Sequence, residues 1–502
     1  MSLKKNVIAN FLGQGWTAVI GLAFIPLYVK YLGIEAYGLI GVFAILQAGL
    51  SLLDMGMTPT LNREMARYTA GAHTTQSILN LLRSLEIICL SIAVLCGALM
   101  WAASEWLASD WLRAGKLSLE TVAQSITIMG WVVALRFVEG IYRGTVLGLQ
   151  KQVLFNIVNS TFATLRAVGA VAVLAYGSRT IEAYFIWQGV VSIISVTVLA
   201  VVAYSNLPKA PTPPQFCRNS LMEIRHFAGG IFATTFLALL LTQLDKIMLS
   251  KLLSLDVFGY YTLAATVAAA ITLLISPITQ AIYPRFTELV VKGDDQELIR
   301  TYHRCTQMVT VLATPPALML MFFNESILLI WTGNSILAHE VSPLLTLLAL
   351  GTLLNVLMHI PYMFTLANGW TGFAFWINLM AVIFLVPSIY YVAPRYGATG
   401  AAWVLVSLNV GYVFIGIHFM HRRLLLEEKW RWYMQDIFAP ILAATLTALF
   451  FSLVQPLSGG VLAELVWLFI TGMFIVASAI IATTELRKSI VLNITRGMKA
   501  ND

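Results

Sequence analysis

Charged side chains are scarce in this sequence. Asp, Glu, Lys and Arg supply only 11% of its 502 residues, against about 25% in soluble domains. So few charges cannot give a soluble surface its polar cover, which excludes a soluble enzyme. The high apolar content likewise excludes a disordered chain. Cysteine is also sparse, with four residues in all, too few for a disulfide scaffold of this length. Cys89 and Cys96 stand seven positions apart, about 10 Å along a helix and too far for a disulfide. No Cys or His spacing suits a metal, so no metal or other cofactor is expected. A P-loop is missing, which excludes ATP hydrolysis by this chain. Long polar segments are missing too, so no extramembrane catalytic domain is expected, and no catalytic residue. What abounds is apolar: 59% of the residues, with a mean hydropathy of +0.81.

These apolar residues fall into runs. About 20 mostly apolar residues cross a bilayer as a helix. Fourteen stretches qualify, beginning with 7–29 and 37–57 and ending with 437–456 and 464–484. The runs are continuous, unlike the short alternating strands of a barrel. The expected fold is all-α: a polytopic integral membrane protein of about 14 transmembrane helices. The basic residues test this reading. With the N-terminus in the cytoplasm, 22 of 31 basic residues lie on the cytoplasmic side and six opposite, as positive-inside orientation requires. Both termini are then cytoplasmic. The net charge of +7 reads as topology, and nucleic acid is not expected as a partner.

The chain also repeats itself. Tyr31-Leu-Gly-Ile-Glu-Ala-Tyr-Gly38 returns as Leu252-Leu-Ser-Leu-Asp-Val-Phe-Gly259, 221 positions later. Tyr176-Gly177 and Tyr396-Gly397 match at an offset of 220, and Asn156 and Asn378 at 222. Six spans separate the copies, so the halves have the same orientation, like parallel transporter repeats. The expected organisation is a six-helix lobe at 1–205, a cytoplasmic Pro-rich linker at 206–227 and a second six-helix lobe at 228–421. Residues 422–502 add a cytoplasmic loop, two further helices and a cytoplasmic tail. Pro26, Pro277, Pro315, Pro316 and Pro387 are expected to interrupt spans.

Polar residues inside spans are costly, at about 2.5–3.5 kcal/mol for a central Arg, Lys or Asp on insertion scales. Three cations fall there: Arg136, Arg166 and Lys246. One reading has them line a cavity and receive an anion, since Arg suits phosphate by its planar fork of donors. The other is ion pairing between helices, with Arg136 meeting Glu139 or Glu86 and Lys246 near Asp245. Asp245, Glu86 and Glu139 are the candidate coupling or ion-pair acids. Asn10, Gln14 and Thr17 form a polar stripe, as do Asn355 and His359, read as packing hydrogen bonds. Asp54 and Arg63 are expected in a local cap or ion pair.

The motifs at 31–38, Leu53-Asp54-Met-Gly56, Leu61-Asn-Arg-Glu64, Gly148–Gln152, Gln243–Lys246 and Tyr283-Pro-Arg285 resemble, in order and placement, those of Wzx-type polysaccharide flippases. That family belongs to the multidrug/oligosaccharidyl-lipid/polysaccharide (MOP) exporter superfamily. The resemblance implies two six-helix lobes and a bacterial inner-membrane flippase, not an enzyme. It implies alternating access, with undecaprenyl-pyrophosphate-linked oligosaccharide moved to the periplasmic leaflet for O-antigen or lipopolysaccharide biosynthesis. As partners it implies that lipid-linked substrate, the bilayer, a polysaccharide polymerase and a chain-length regulator. The alternatives are a cation-coupled multidrug exporter, a lipid II flippase and a membrane glycan polymerase. An exporter of cationic drugs needs an acidic cavity. A polymerase needs an external loop larger than the roughly fifteen residues at Glu105–Leu119.

Overall fold

A computed structural model describes residues 3–208, 212–454 and 460–487. Lys209–Pro211 of the expected linker and the expected tail, with Lys488, Arg496 and Lys499, lie outside the described residues. Among the described residues the regular elements are helices, with one isolated backbone bridge. Eleven helices are long and apolar enough to cross a membrane. One of them, Thr371–Leu424, contains two expected spans, and the other two are the helices Ile34–Leu53 and Arg218–Leu252. The polytopic all-α fold is therefore as expected, and among the described residues each of the fourteen stretches is mainly helical, residues 455–456 of the stretch 437–456 lying outside them.

By backbone contacts the chain forms two units, Met1–Gly259 and Tyr260–Asp502. The first holds α1 (Leu3–Ala23), α2 (Ile25–Leu32), α3 (Ile34–Leu53), α4 (Met57–Thr69) and α5 (Thr75–Trp106). It also holds α6 (Leu119–Gly148), α7 (Gln152–Ala172), α8 (Ile181–Ser205), α9 (Arg218–Leu252) and the start of α10 (Leu255–Lys292). Local chemistry sets the helix starts: Thr74, Ser118 and Thr180 each accept a hydrogen bond from the backbone N–H three residues on, satisfying an orphan donor of the first turn. Asp54 likewise accepts from Thr58 N at 3.0 Å and starts α4, the expected cap. The centre of this unit is α6, which packs on α3, α4, α5 and α8. Its close approach to α4 needs glycine: a Cβ at Gly148 would lie 2.4 Å from the Asn62 carbonyl oxygen, and one at Gly144 2.8 Å from that of Thr58. Small residues every fourth position let helix backbones touch in this way.

The second unit holds the rest of α10, then α11 (Asp295–Phe322), α12 (Asn324–Thr332), α13 (Ser335–Leu357) and α14 (His359–Ala367). They are followed by α15 (Thr371–Gly411), α16 (Ile417–Leu424), α17 (Lys429–Arg431), α18 (Ala439–Leu453) and α19 (Gly460–Ala482). Tyr302, Phe286, Phe364 and Trp432 are among its large, fully buried core side chains. The two added helices, α18 and α19, pack on each other and on α11. A buried polar knot reinforces that contact. His303 bonds Asp436 through Nδ1 and Glu428 through Nε2, while Gln307 donates to Asp436 at 2.8 Å and to Thr484 at 3.0 Å.

The prolines differ from expectation. Only Pro26 lies at a break, between α1 and α2. Pro277, Pro315, Pro316 and Pro387 sit inside continuous helices, where neighbouring helices can satisfy the freed groups. The kink in α15 falls at Gly397, with φ 63°. Its repeat counterpart, Gly177, ends a π-helical turn after α7.

Candidate functional site

In the first unit, α3, α6, α7 and α8 bring two of the three intramembrane cations into one polar layer. Arg136 on α6 donates from one terminal nitrogen to Gln47 on α3 and from the other to Gln188 on α8, the latter at 2.8 Å. Its guanidinium carbon lies 5.0 Å from the centre of the Phe43 ring. Arg166 on α7 donates to Glu139 of α6 at 3.0 Å, both side chains being 17% exposed. Gln188 closes the layer by donating to the Arg166 carbonyl at 3.5 Å. The Nε atoms of both arginines are buried and unpartnered.

The pairing is not the one that helix spacing suggests. Glu139 stands three positions from Arg136 yet bonds Arg166 from another helix. Arg136 meets amide oxygens and an aromatic face. Two cations thus share one acid, leaving an excess positive charge held by neutral dipoles. Such a group is short of counter-charge and suits an incoming anion.

The other candidates lie apart. Glu86 is buried on α5, where it accepts from Arg83 at 3.2 Å and from the Tyr204 hydroxyl at 2.8 Å. Lys246 on α9 donates to the Thr242 carbonyl at 3.4 Å, and Asp245 beside it is buried. Sequence reasoning missed Gln47 and Gln188. Their signal was the one that flagged Asn10: an amide inside an apolar span. Asn10 itself donates to Gln152 and accepts from Asn156, and Asn355 donates to Asn409 at 3.0 Å. These are the expected packing bonds. Asn409 is the 221-offset counterpart of Gln188, but here the pair is uncharged. The arginine layer is a feature of the first copy.

The repeated motifs also meet. A Cβ at Gly38 would lie 2.3 Å from the Leu255 carbonyl oxygen, and one at Gly259 2.4 Å from that of Ile34. Ile34 and Leu255, like Gly38 and Gly259, are counterparts at offset 221. The crossing is reciprocal: each copy lays a carbonyl on the other's glycine. Beside it, Leu255 N donates to the Arg113 carbonyl at 2.9 Å and Trp111 Nε1 to Ser250 at 3.1 Å. Glu35 accepts from the backbone of Gly115 and Lys116 at 2.6 and 2.9 Å, which fixes the loop after α5.

Comparison with known proteins agrees with this architecture. The family described as polysaccharide biosynthesis protein matches residues 3–290, more than half of the chain. A Shigella flexneri protein named "Putative O-antigen transporter" is 19% identical over 402 residues, 80% of this chain and 94% of its own. The lipopolysaccharide biosynthesis protein WzxC of Escherichia coli K12 is 22% identical over 226 residues, 45% of each chain. Among solved structures, the lipid II flippase MurJ in an inward closed conformation superposes with a TM-score of 0.68 at 12% identity, covering 94% of this chain and 97% of that one. A multidrug resistance MATE family transporter of the MOP superfamily, inward-facing, gives 0.67 at 15% identity, covering 81% and 94%. These last two likenesses concern the fold. The resemblance to Wzx-type flippases is borne out: this multi-pass membrane protein belongs to the polysaccharide biosynthesis protein family and has the fold of the MOP exporters.

Proposed function

We propose that this protein flips an undecaprenyl-pyrophosphate-linked oligosaccharide from the cytoplasmic to the periplasmic leaflet of a bacterial inner membrane. The observation that carries the reading is the arginine layer, with two cations to one acid inside an apolar unit. A pyrophosphate crossing hydrocarbon loses its hydration, and fixed guanidinium donors replace part of it. Arg136, whose partners are neutral, is the primary contact. Arg166 and Lys246 are secondary cations. An excess of cation disfavours the reading as an exporter of cationic drugs.

The lobes are those of the repeat, 1–205 and 228–421. Alternating access uses the Gly38–Gly259 crossing as the seam that closes the periplasmic end, with both termini in the cytoplasm. Glu86, Glu139 and Asp245 are the acids available for ion coupling. Deleting the gene tests the whole reading: lipid-linked units should accumulate in the inner leaflet and surface polysaccharide should disappear. The wild-type gene should restore it, and Arg136→Gln should leave it well short of normal. Normal surface polysaccharide in the deletion strain would falsify the proposal.

A further inference from the structure

The first unit has a cavity of about 520 Å³ among α3, α5, α6 and α9. Along α3 it follows one face, Val42, Leu46, Gly49 and Leu53, while Phe43 and Gln47 face Arg136 from another. Eleven residues of helix rise about 16 Å, roughly half the ~30 Å thickness of the bilayer's hydrocarbon. Volume over length gives a mean cross-section of about 30 Å². The cavity is a slot one leaflet long.

Its lining is dry. Ser250 has its hydroxyl committed, donating to the Ile247 carbonyl at 2.8 Å and accepting from the Trp111 indole at 3.1 Å. Gln243 is the other polar side chain with oxygen or nitrogen to offer. An ordered water needs two to four polar partners, so a column of water is not supported. An empty slot forfeits dispersion contacts in proportion to its volume. A hydrocarbon chain meets neither objection. The way in is apolar as well, since Leu99 of the lining is 59% exposed.

The end of the slot at Trp111 and Ser250 is different. Lys251 Nζ lies 4.8 Å from the Trp111 ring centre, and Arg113 reaches the Leu252 carbonyl at 3.4 Å. Both cations are exposed, and neither joins an ion pair among the described residues. Trp with Lys or Arg is the side-chain set of the membrane interface.

We propose that this slot binds one anionic phospholipid of the surrounding bilayer, with an acyl chain along α3 and the phosphate at Arg113 and Lys251. Lipid retention tests the site without transport, so its failure and that of the flippase reading are distinguishable.

Native mass spectrometry of the full chain in mild detergent, titrated with phosphatidylglycerol or phosphatidylcholine of matched chains, gives the measurement. Unaltered protein should keep one phosphatidylglycerol at least about fivefold more tightly, the scale of one cation at an anionic lipid surface. Gly49→Leu should abolish retention at unchanged melting temperature. No atom lies within 4 Å of a Cβ at Gly49, so the new side chain enters the slot. Arg113→Gln with Lys251→Gln should make the two lipids equivalent. Equal retention of both lipids by unaltered protein overturns the proposal, whatever the variants do. So does phosphatidylglycerol that survives Gly49→Leu. Displacement of phosphatidylglycerol one for one by a lipid-linked oligosaccharide also overturns it, assigning the slot to that lipid instead.

Discussion

Arg136 and Arg166 both meet Gln188, one through its guanidinium and the other through its backbone carbonyl, yet their substitution should have different consequences. Arg136 leans on Gln47, Gln188 and a Phe43 face. Arg136→Gln removes a costly cation and leaves amides that can bond a third amide. Stability should stay within about 1 kcal/mol, while transport of lipid-linked oligosaccharide should fall roughly 10–100-fold, the loss of one charge-assisted contact. Arg136→Lys keeps the charge but loses the planar fork, so transport should recover only in part. Normal transport by Arg136→Gln vesicles at normal protein levels would remove this residue from the site. Arg166→Gln is a different experiment, because it leaves Glu139 without its cation. It should cost about 1–3 kcal/mol, read as a lower melting temperature. Adding Glu139→Gln should return most of that, a coupling that a thermal double-mutant cycle measures directly. The sequence revealed the three intramembrane cations but not which acid pairs with which. The bond to Glu139 joins residues 27 apart, and that to Gln47 residues 89 apart. Only helix packing brings them together.

At the scale of helices, two contacts invite test. The reciprocal crossing of Gly38 and Gly259 has no room for a methyl group, since each Cβ would fall within 2.4 Å of a carbonyl oxygen. Gly38→Ala must part α3 from α10 by about an ångström. If the crossing is a seam that opens and closes, parting it exposes Ser250 beside Trp111. A Ser250→Cys reporter, with the four native cysteines replaced, should then react faster with a membrane-impermeant maleimide in Gly38→Ala than in its parent. Gly259→Ala should do the same, because the contact is symmetric. Unchanged reactivity in both would argue for a static contact. The second contact is the knot at His303, which bonds carboxylates through both ring nitrogens. His303→Leu takes one hydrogen-bond partner from the fully buried Asp436 and should cost about 1–3 kcal/mol, seen as a drop in melting temperature. The sequence indicated two further apolar spans at 437–456 and 464–484, where α18 and α19 stand. It did not indicate this fastening, because an isolated histidine near a span end carries no pairing signal. The break inside α15 falls at Gly397, in the gap between the two expected spans where the repeated Tyr-Gly pair stands.

At the scale of the molecule, hydropathy made nearly all of the fold legible, because a bilayer demands about 20 apolar residues per crossing whatever packs against them. Among the described residues all fourteen stretches are mainly helical for that reason. The helix α4 was not legible, since it packs against longer helices and has no length constraint of its own, and the breaks that set α12 and α14 apart from the helices before them were not legible either. The repeat was legible through glycines, whose close approach admits no larger residue. The expected orientation rests on a different physical term, the bias of Lys and Arg toward the cytoplasmic side. The 22-to-six division of basic residues gives a definite prediction. Alkaline phosphatase folds only where its disulfides can form. Inserted after Lys116, in the loop that Glu35 fixes, it should be active. Inserted after Gln215, on the side of the expected linker, it should be inactive, and a cytoplasmic reporter at the same two places should give the reverse. Activity of the phosphatase at Gln215 and not at Lys116 would invert the topology. It would then place the Gly38–Gly259 crossing at the cytoplasmic end, where a closed seam would bar the substrate from entering and no longer hold it from leaving.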